Sequence, residues 1–274
     1  MLPLLAACAG PATSEGAIPE TCNGHAALCD RPFDEVTLAG THNSMSSEDD
    51  GFQLPNQPHS LARQLDDGVR AMLLDTHPWE GEPYLCHGYC ELGATPLVQG
   101  LGVIRAFLDV HRGEVLAIII ENGISAEDTA AAFAEAGLDR YVYTWDGGAW
   151  PTLGELIAAD TRLLVTAESG GPPPDWYQPA WELYVDTPYD FATVDAFTCD
   201  VNRGALANPL FLLNHWVADP FPSEAQAAQA NAEGVLYDRA TACAAAFGRP
   251  PNLVAVDWYT AGDLFAVVDA LNGL

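Results

Sequence analysis

The chain has 274 residues, 38 of them Asp or Glu against ten basic residues, for a formal charge of −28. All ten basic residues are arginines, which speaks against a nucleic-acid binder and against electrostatic docking on an anionic bilayer. A hydrophobic fraction of 49% excludes wholesale disorder. The length fits one large α/β domain or two small ones, and nothing marks a second domain or a dimer seam, so a monomer is expected. No apolar run approaches the roughly 20 residues that span a bilayer.

The run Met1-Leu-Pro-Leu-Leu-Ala-Ala-Cys8 resembles a bacterial lipoprotein cleavage box. The expectation is export, with residues 1–8 a signal remnant, Cys8 a lipid-anchored residue and residues 9–21 a flexible tether. No basic residue precedes the apolar run, so the true start is expected upstream. Six further cysteines follow, an even number that suggests disulfides in an exported chain. Fifteen pairings are possible in principle. Proximity favours Cys22–Cys29 and Cys86–Cys90, leaving Cys199–Cys243.

In chain order, Val36–Gly40 reads as the first strand and Leu54–Asp67 as a helix stopped by Gly68. Strands Val69–Asp75 and Tyr84–His87 follow, then a helix over Pro96–Arg112. Val115–Glu121 is a strand whose run Val115–Ile120 is continuously apolar, the kind buried on both faces of a parallel sheet. Ser125–Ala136 opens on an N-cap serine with acids in its first turn. Beyond it lie helix Pro151–Ala159, strands Arg162–Ala167, Glu182–Asp186 and Leu210–His215, and helices Ser223–Glu233 and Leu236–Phe247. Strand Leu253–Asp257 and helix Ala261–Leu271 close the chain. Eight strands with intervening helices, uneven in length, indicate an irregular (distorted) TIM-type (β/α)8 barrel in a single domain over 22–274.

In such a barrel the working residues stand at the C-terminal strand ends. Here the ends carry His42, Asp75, His87, Glu121 and Asp257. The two-residue period puts Leu73, Asp75 and His77 on one face. Two histidines and three acids at successive strand ends can converge in one barrel mouth.

These stretches resemble the X-type catalytic domain of phosphatidylinositol-specific phospholipase C. The resemblance rests on Val36-Thr-Leu-Ala-Gly-Thr-His42-Asn-Ser, Gly68-Val-Arg-Ala-Met-Leu-Leu-Asp75, Leu85-Cys-His87-Gly, Ile118-Ile-Ile-Glu121-Asn and Val254-Ala-Val-Asp257-Trp, in that order. It implies a distorted TIM barrel, of the exported, disulfide-containing branch. It also implies that His42 is the general base acting on an inositol hydroxyl, His87 the acid for the departing diacylglycerol oxygen, and Asp257 a supporting carboxylate. The expected product is an inositol cyclic phosphate.

Two positions depart from the family pattern. His77 stands where the metal-free members carry an arginine, and Leu73 replaces one of the acids of the calcium-dependent members. Asn43, Asp75 and Glu121 match the remaining calcium ligands, so a Ca²⁺-assisted site is expected, with His77 as the competing source of positive charge. The strand period turns Arg70 outward, away from Asp75. The acidity favours unphosphorylated phosphatidylinositol, or a glycosylated form, at a membrane surface. Trp176, Tyr177, Trp216 and Trp258 are candidates for lipid contact or, more in keeping with their positions, for packing inside loops. The alternatives are a glycerophosphodiesterase or sphingomyelinase-D-like barrel enzyme, or a surface-anchored barrel that binds without catalysis.

Overall fold

The alternation of inward and outward side chains along parallel strands organises the chain. A computed structural model describes residues 19–274. The expected signal remnant, the Cys8 anchor and nearly all of the tether lie outside the described residues. In chain order the elements are β1 (Leu38–Thr41), α1 (Leu61–Asp67), β2 (Ala71–Trp79), β3 (Glu82–Leu85), β4 (Thr95–Pro96), α2 (Leu97–Val110) and β5 (Leu116–Asn122). Then come α3 (Ala126–Ala136), β6 (Val142–Tyr143), α4 (Leu153–Ala158), β7 (Leu163–Ala167), β8 (Gln178–Pro179), α5 (Ala180–Leu183) and β9 (Tyr184–Asp186). The last elements are β10 (Leu210–His215), α6 (Glu224–Ala230), α7 (Glu233–Phe247), β11 (Leu253–Val256) and α8 (Leu264–Leu271).

Eight parallel strands follow one another in the order β6-β7-β5-β2-β1-β11-β10-β9. Their inward residues, among them Leu38, Ala71, Leu73, Ile119, Leu212 and Ala255, fill the barrel. Their outward neighbours, such as Met72, Leu74, Ile118, Phe211 and Val254, pack against the helices. This two-faced burial is why the strands read as continuous apolar runs. Gly40 makes room where β1 is squeezed between its neighbours: a Cβ there would lie 3.1 Å from both Ala71 Cβ and Val254 O.

The irregular barrel agrees with the sequence expectation, with two corrections. The segment Tyr84–His87 is not a barrel strand. β3 pairs antiparallel with the upper end of β2, Thr76 opposite Leu85 and Trp79 opposite Glu82. The link is the two-residue turn Glu80-Gly81, both at positive φ (52° and 89°), the geometry whose twist suits a tight hairpin. The eighth barrel position is taken instead by the two-residue β6. The second correction concerns the first helix, which begins at Leu61 rather than Leu54. Pro55 and Pro58 disfavour an earlier helical start, and Leu54 takes a positive φ of 54°.

The barrel is open along one seam. The outer edge of β7 is shared by β6 along its lower half and β8 along its upper half. Among the described residues no ladder joins β7 to β9. Arg203 closes the gap with side-chain bonds: Nη1 donates to Glu168 Oε2 at 2.8 Å, just past β7, and Nη2 to Asp186 Oδ2 at 2.6 Å, at the end of β9.

The loop that carries Arg203 is fixed from below. The disulfide Cys199–Cys243 ties it to α7, and the pairs Cys22–Cys29 and Cys86–Cys90 also form as expected. Arg239 of α7 donates to Thr198 O at 3.1 Å, Asn214 O at 2.7 Å and His215 Nδ1 at 3.2 Å. His215 therefore carries its proton on Nε2, which donates to Ala230 O at 2.8 Å. Burial, reinforced by the Arg239 charge, pushes the His215 pKa down to about 3.

Unfolded His215 titrates near its ordinary value of 6.5. Stability linked to this residue is therefore complete above that pH and lost as the pH falls toward 3, at about 1.4 kcal/mol per pH unit. His215→Gln should be less stable than wild type in urea unfolding at pH 7. The gap should narrow by about 1.4 kcal/mol per unit on acidification to pH 4; a gap independent of pH would contradict the assignment.

Candidate active site

β1 and β11 run side by side, with Thr41 in register with Val256, so the residues that follow them emerge together. His42 Nδ1 lies 2.8 Å from Asp257 Oδ1. Both chains turn left-handed at the next residue, Asn43 at φ 44° and Trp258 at φ 46°. Such values are uncommon for residues other than glycine and mark backbone held in place by its surroundings. Asn56 Nδ2 donates to the same Asp257 oxygen at 3.1 Å, Asn231 Nδ2 to the Asp257 carbonyl at 2.9 Å, and Gln57 Nε2 to the His42 carbonyl at 2.7 Å. The His42 ring lies flat on Trp216, centroids 3.8 Å apart and planes 5° from parallel. One ring nitrogen and one ring face are thus occupied, and Nε2 is left for the cleft.

His87 stands across from it, ring centroids 6.4 Å apart. It sits in the Cys86–Cys90 loop at the base of the β2–β3 hairpin. Desolvation and the neighbouring His42 hold its pKa below the ordinary histidine value. His77, on β2, lines the same open cleft of ≈ 1260 Å³.

Asp75 on β2 is in register with Glu121 on β5. Glu168, whose amide donates to Ile120 O at 2.8 Å, continues the row beyond β7. The Asp75 carboxyl is buried and has no arginine partner. Desolvation, then repulsion from Glu121 and Glu168, raises its pKa well above the ordinary carboxylate value. Arg70 is spent elsewhere, on Glu114 Oε2 at 2.7 Å and on the carbonyls of Leu65 and Val69, as its outward parity requires.

Asn43 lies among these groups. With its amide nitrogen toward Asp75, that atom is 3.2 and 3.1 Å from the two carboxylate oxygens, and its oxygen is 3.2 Å from Nε2 of both His42 and His87. Turned over, the nitrogen donates to Asn56 Oδ1 at 3.2 Å and the oxygen joins Asp75 in facing the cleft. Among the described residues no three His, Cys, Asp or Glu side chains come close enough to enclose a metal by themselves. A cation here would rest on two carboxylates and an amide.

All seven sequence candidates, His42, Asn43, Asp75, His77, His87, Glu121 and Asp257, therefore gather at one barrel mouth. Sequence reasoning missed Glu168, Asp186, Arg203, Asn56 and Asn214, and assigned Trp216 to loop packing or lipid contact without its partner, the His42 ring. Glu168, Asp186 and Asn214 occupy strand ends and obey the two-residue period, so the same signal could have found them. Arg203 and Asn56 come from irregular loops and left no periodic trace.

The PI-PLC X family model (PI-PLC X 1) matches residues 28–272. The chain belongs to this family. It is 30% identical to PI-PLC X domain-containing protein 1 of Arthroderma benhamiae, over 92% of this chain and 90% of that one. A PI-PLC X domain-containing protein of Arabidopsis thaliana is 26% identical over 88% of this chain and 63% of its own length. An "Uncharacterized secreted protein" of Arthroderma benhamiae is 29% identical over 92% and 64%. Among solved structures, the phosphatidylinositol-specific phospholipase C of Listeria monocytogenes superposes with a TM-score of 0.59 at 16% identity, covering 94% of this chain and 96% of that one. A Staphylococcus aureus phosphatidylinositol-specific phospholipase C variant gives 0.60 at 14% identity over 89% and 93%. At such identities these two likenesses show the shared barrel fold. The three disulfides fit an exported protein.

The buried Asp75 makes a direct test of the site's electrostatics. Its raised pKa means that the folded protein disfavours the ionised form, so stability falls as the pH rises through that pKa. In chelator at pH 7, Asp75→Asn should melt several degrees above wild type, and the difference should close on acidification. A lower melting temperature at both pH values would show that the carboxylate is stabilised instead.

Proposed function

We propose that the chain is a phosphodiesterase of the phosphatidylinositol phospholipase C type, cleaving a phospholipid head group by attack of a neighbouring head-group hydroxyl. The observation that carries this reading is the Asp257–His42 pair facing His87 across the cleft. Asp257 accepts the Nδ1 proton, so His42 Nε2 is free to take the proton of the attacking hydroxyl. His87 delivers a proton to the departing alkoxide. Its lowered pKa suits a group that gives up its proton readily, and a bound phosphate anion favours its protonated form beforehand. The bond formed is hydroxyl oxygen to phosphorus and the bond broken is phosphorus to the glycerol oxygen. The products are a cyclic head-group phosphate and diacylglycerol.

With its amide oxygen turned beside Asp75, Asn43 would join Asp75 and Glu121 in offering oxygen donors, which fits Ca²⁺ better than a softer metal. The unpaired, mutually repelling carboxylates of Asp75 and Glu121 support the same choice. A calcium ion held there would offset negative charge on the phosphoryl oxygens. Export with a lipid anchor at Cys8 completes the reading.

The test is phosphorus NMR of phosphatidylinositol vesicles incubated with the protein, in Ca²⁺ and in chelator. A cyclic phosphate signal is expected in Ca²⁺ alone, reduced about 10²–10⁴-fold in His42→Ala and in His87→Ala. Activity indifferent to chelator would transfer the charge-stabilising role to His77 or Arg203. Release of free glycerol phosphate or ceramide phosphate would favour the neighbouring diesterases. No product from any head group would favour the binding barrel.

A further inference from the structure

Asn56 has no step in the chemistry above, yet it lies between the two halves of the site. It stands in the irregular loop after β1 and is 2% exposed. Its backbone is fastened on both sides: Asn56 N donates to Ser46 O at 3.0 Å, and Trp258 N donates to Asn56 O at 2.8 Å. Its neighbour Gln57 bridges the ends of β1 and β11, Nε2 donating to His42 O at 2.7 Å and to Val256 O at 2.9 Å. The Asn56 side chain is thereby held between the Asp257 carboxylate and the Asn43 amide.

An amide has a donor end and an acceptor end, whereas a carboxylate only accepts. Asn56 therefore gives its nitrogen to Asp257 Oδ1, 3.1 Å away. Its oxygen is then turned toward Asn43, and among the described residues the donor that reaches it is Asn43 Nδ2 at 3.2 Å. Asn43 in turn faces its oxygen to Asp75, 3.2 and 3.1 Å from the two carboxylate oxygens. Donors and acceptors alternate correctly from His42 Nδ1 through Asp257, Asn56 and Asn43, and fail only at the last step, where oxygen meets oxygen. Turning Asn43 over cures that contact and creates another, its oxygen 3.2 Å from Asn56 Oδ1. Buried acceptors that face each other are costly in either place. The remedies differ. Positive charge beside Asp75 relieves the first contact, while Asp257 prevents Asn56 from turning to relieve the second.

The imidazoles agree with the first arrangement. Nε2 of His42 and Nε2 of His87 both lie 3.2 Å from the Asn43 atom that faces Asn56. As nitrogen, that atom can donate to an Nε2 without a proton, the tautomer His42 takes while Asp257 accepts from its Nδ1. We infer that Asn56 is a positioning residue: it sets the Asn43 amide with its oxygen toward the cation seat, and so joins that seat to the Asp257–His42 pair. The inference rests on the reading of Asn43, Asp75 and Glu121 as a calcium seat. The coupling is mutual, since a cation that fixes the Asn43 amide also fixes the amide that holds Asp257.

The experiment is calorimetric titration of the full chain with CaCl₂, which reads binding apart from turnover. Wild type is expected to bind, and Asp75→Asn to bind far more weakly. Asn56→Leu keeps the approximate shape and removes both ends of the amide; it should weaken Ca²⁺ binding about tenfold, the worth of one oriented buried hydrogen bond. In an Asn43→Asp background the same change should no longer weaken it. A carboxylate offers the seat an oxygen whichever way it turns, and its other oxygen opposes Asn56 Oδ1, so losing that amide there removes a repulsion. A residue that merely keeps the loop folded would cost affinity in both backgrounds, and equal losses would overturn the inference. So would an Asn56→Leu variant that binds Ca²⁺ like wild type. Melting in chelator separates a lost seat from a lost fold. A second measurement needs no variant at Asn56: in wild type its side-chain NH₂ signals in ¹⁵N NMR should shift with the midpoint of the calorimetric titration, and signals that stay fixed would count against the coupling. Absence of Ca²⁺ binding by wild type would remove the calcium reading and this inference with it; wild-type binding with equal losses in both backgrounds would remove the inference alone.

Discussion

Parallel strands in register put like residues side by side, and at this barrel mouth the like residues are acids. Asp75, Glu121 and Glu168 fall on neighbouring strands at one level, and Asp75 among them is buried too deeply for water to screen it. Several polar groups around the mouth offset its acids. Arg203 neutralises the Glu168 side and Asp186 with it; Asn56 donates to the side chain of Asp257 and Asn231 to its carbonyl; the Asn43 amide can turn its nitrogen to Asp75. Asp75 and Glu121 are the members left without a fixed cation. A site that tolerates this imbalance trades stability for a seat that favours positive charge.

The wall beside this row is uneven. An ideal barrel closes by hydrogen bonds between strands. Here β6 and β8 each cover half of one edge, and an ion-paired arginine spans what remains. Arg203 is supported in turn by the rings of Trp181, 3.8 Å from its guanidinium carbon, and Tyr189, 4.9 Å away. The Cys199–Cys243 bond and the Arg239 contacts hold the loop that delivers it. Wall and site are therefore one structure on this side of the molecule.

What was legible in the sequence follows from periodicity. Apolar runs with a polar residue at the end announced β2, β5 and β11, and the period of two assigned Asp75 and Glu121 to the inside and Arg70 to the outside. His42 and Asp257 were legible for the same reason. The hairpin was misread because Glu80-Gly81 does the work usually signalled by Asn-Gly or Asp-Gly, so Tyr84–His87 looked like another wall strand. Arg203, Asn56 and Gln57 were invisible because their partners are remote in sequence and their own segments are irregular. Trp216 looked like loop packing, which it is, yet its partner in that packing is the His42 ring.

The hairpin places the two histidines on separately anchored parts. His42 belongs to the wall, fixed by β1, β11 and the amides of Asn56 and Gln57. His87 belongs to a small cross-linked appendage that carries none of the inward-facing barrel core. Substitutions in the appendage can therefore move His87 without disturbing the β1 and β11 residues that hold His42, provided Leu85 keeps its seat against α2. The separation of the two imidazoles is thus a variable that the barrel wall alone does not set.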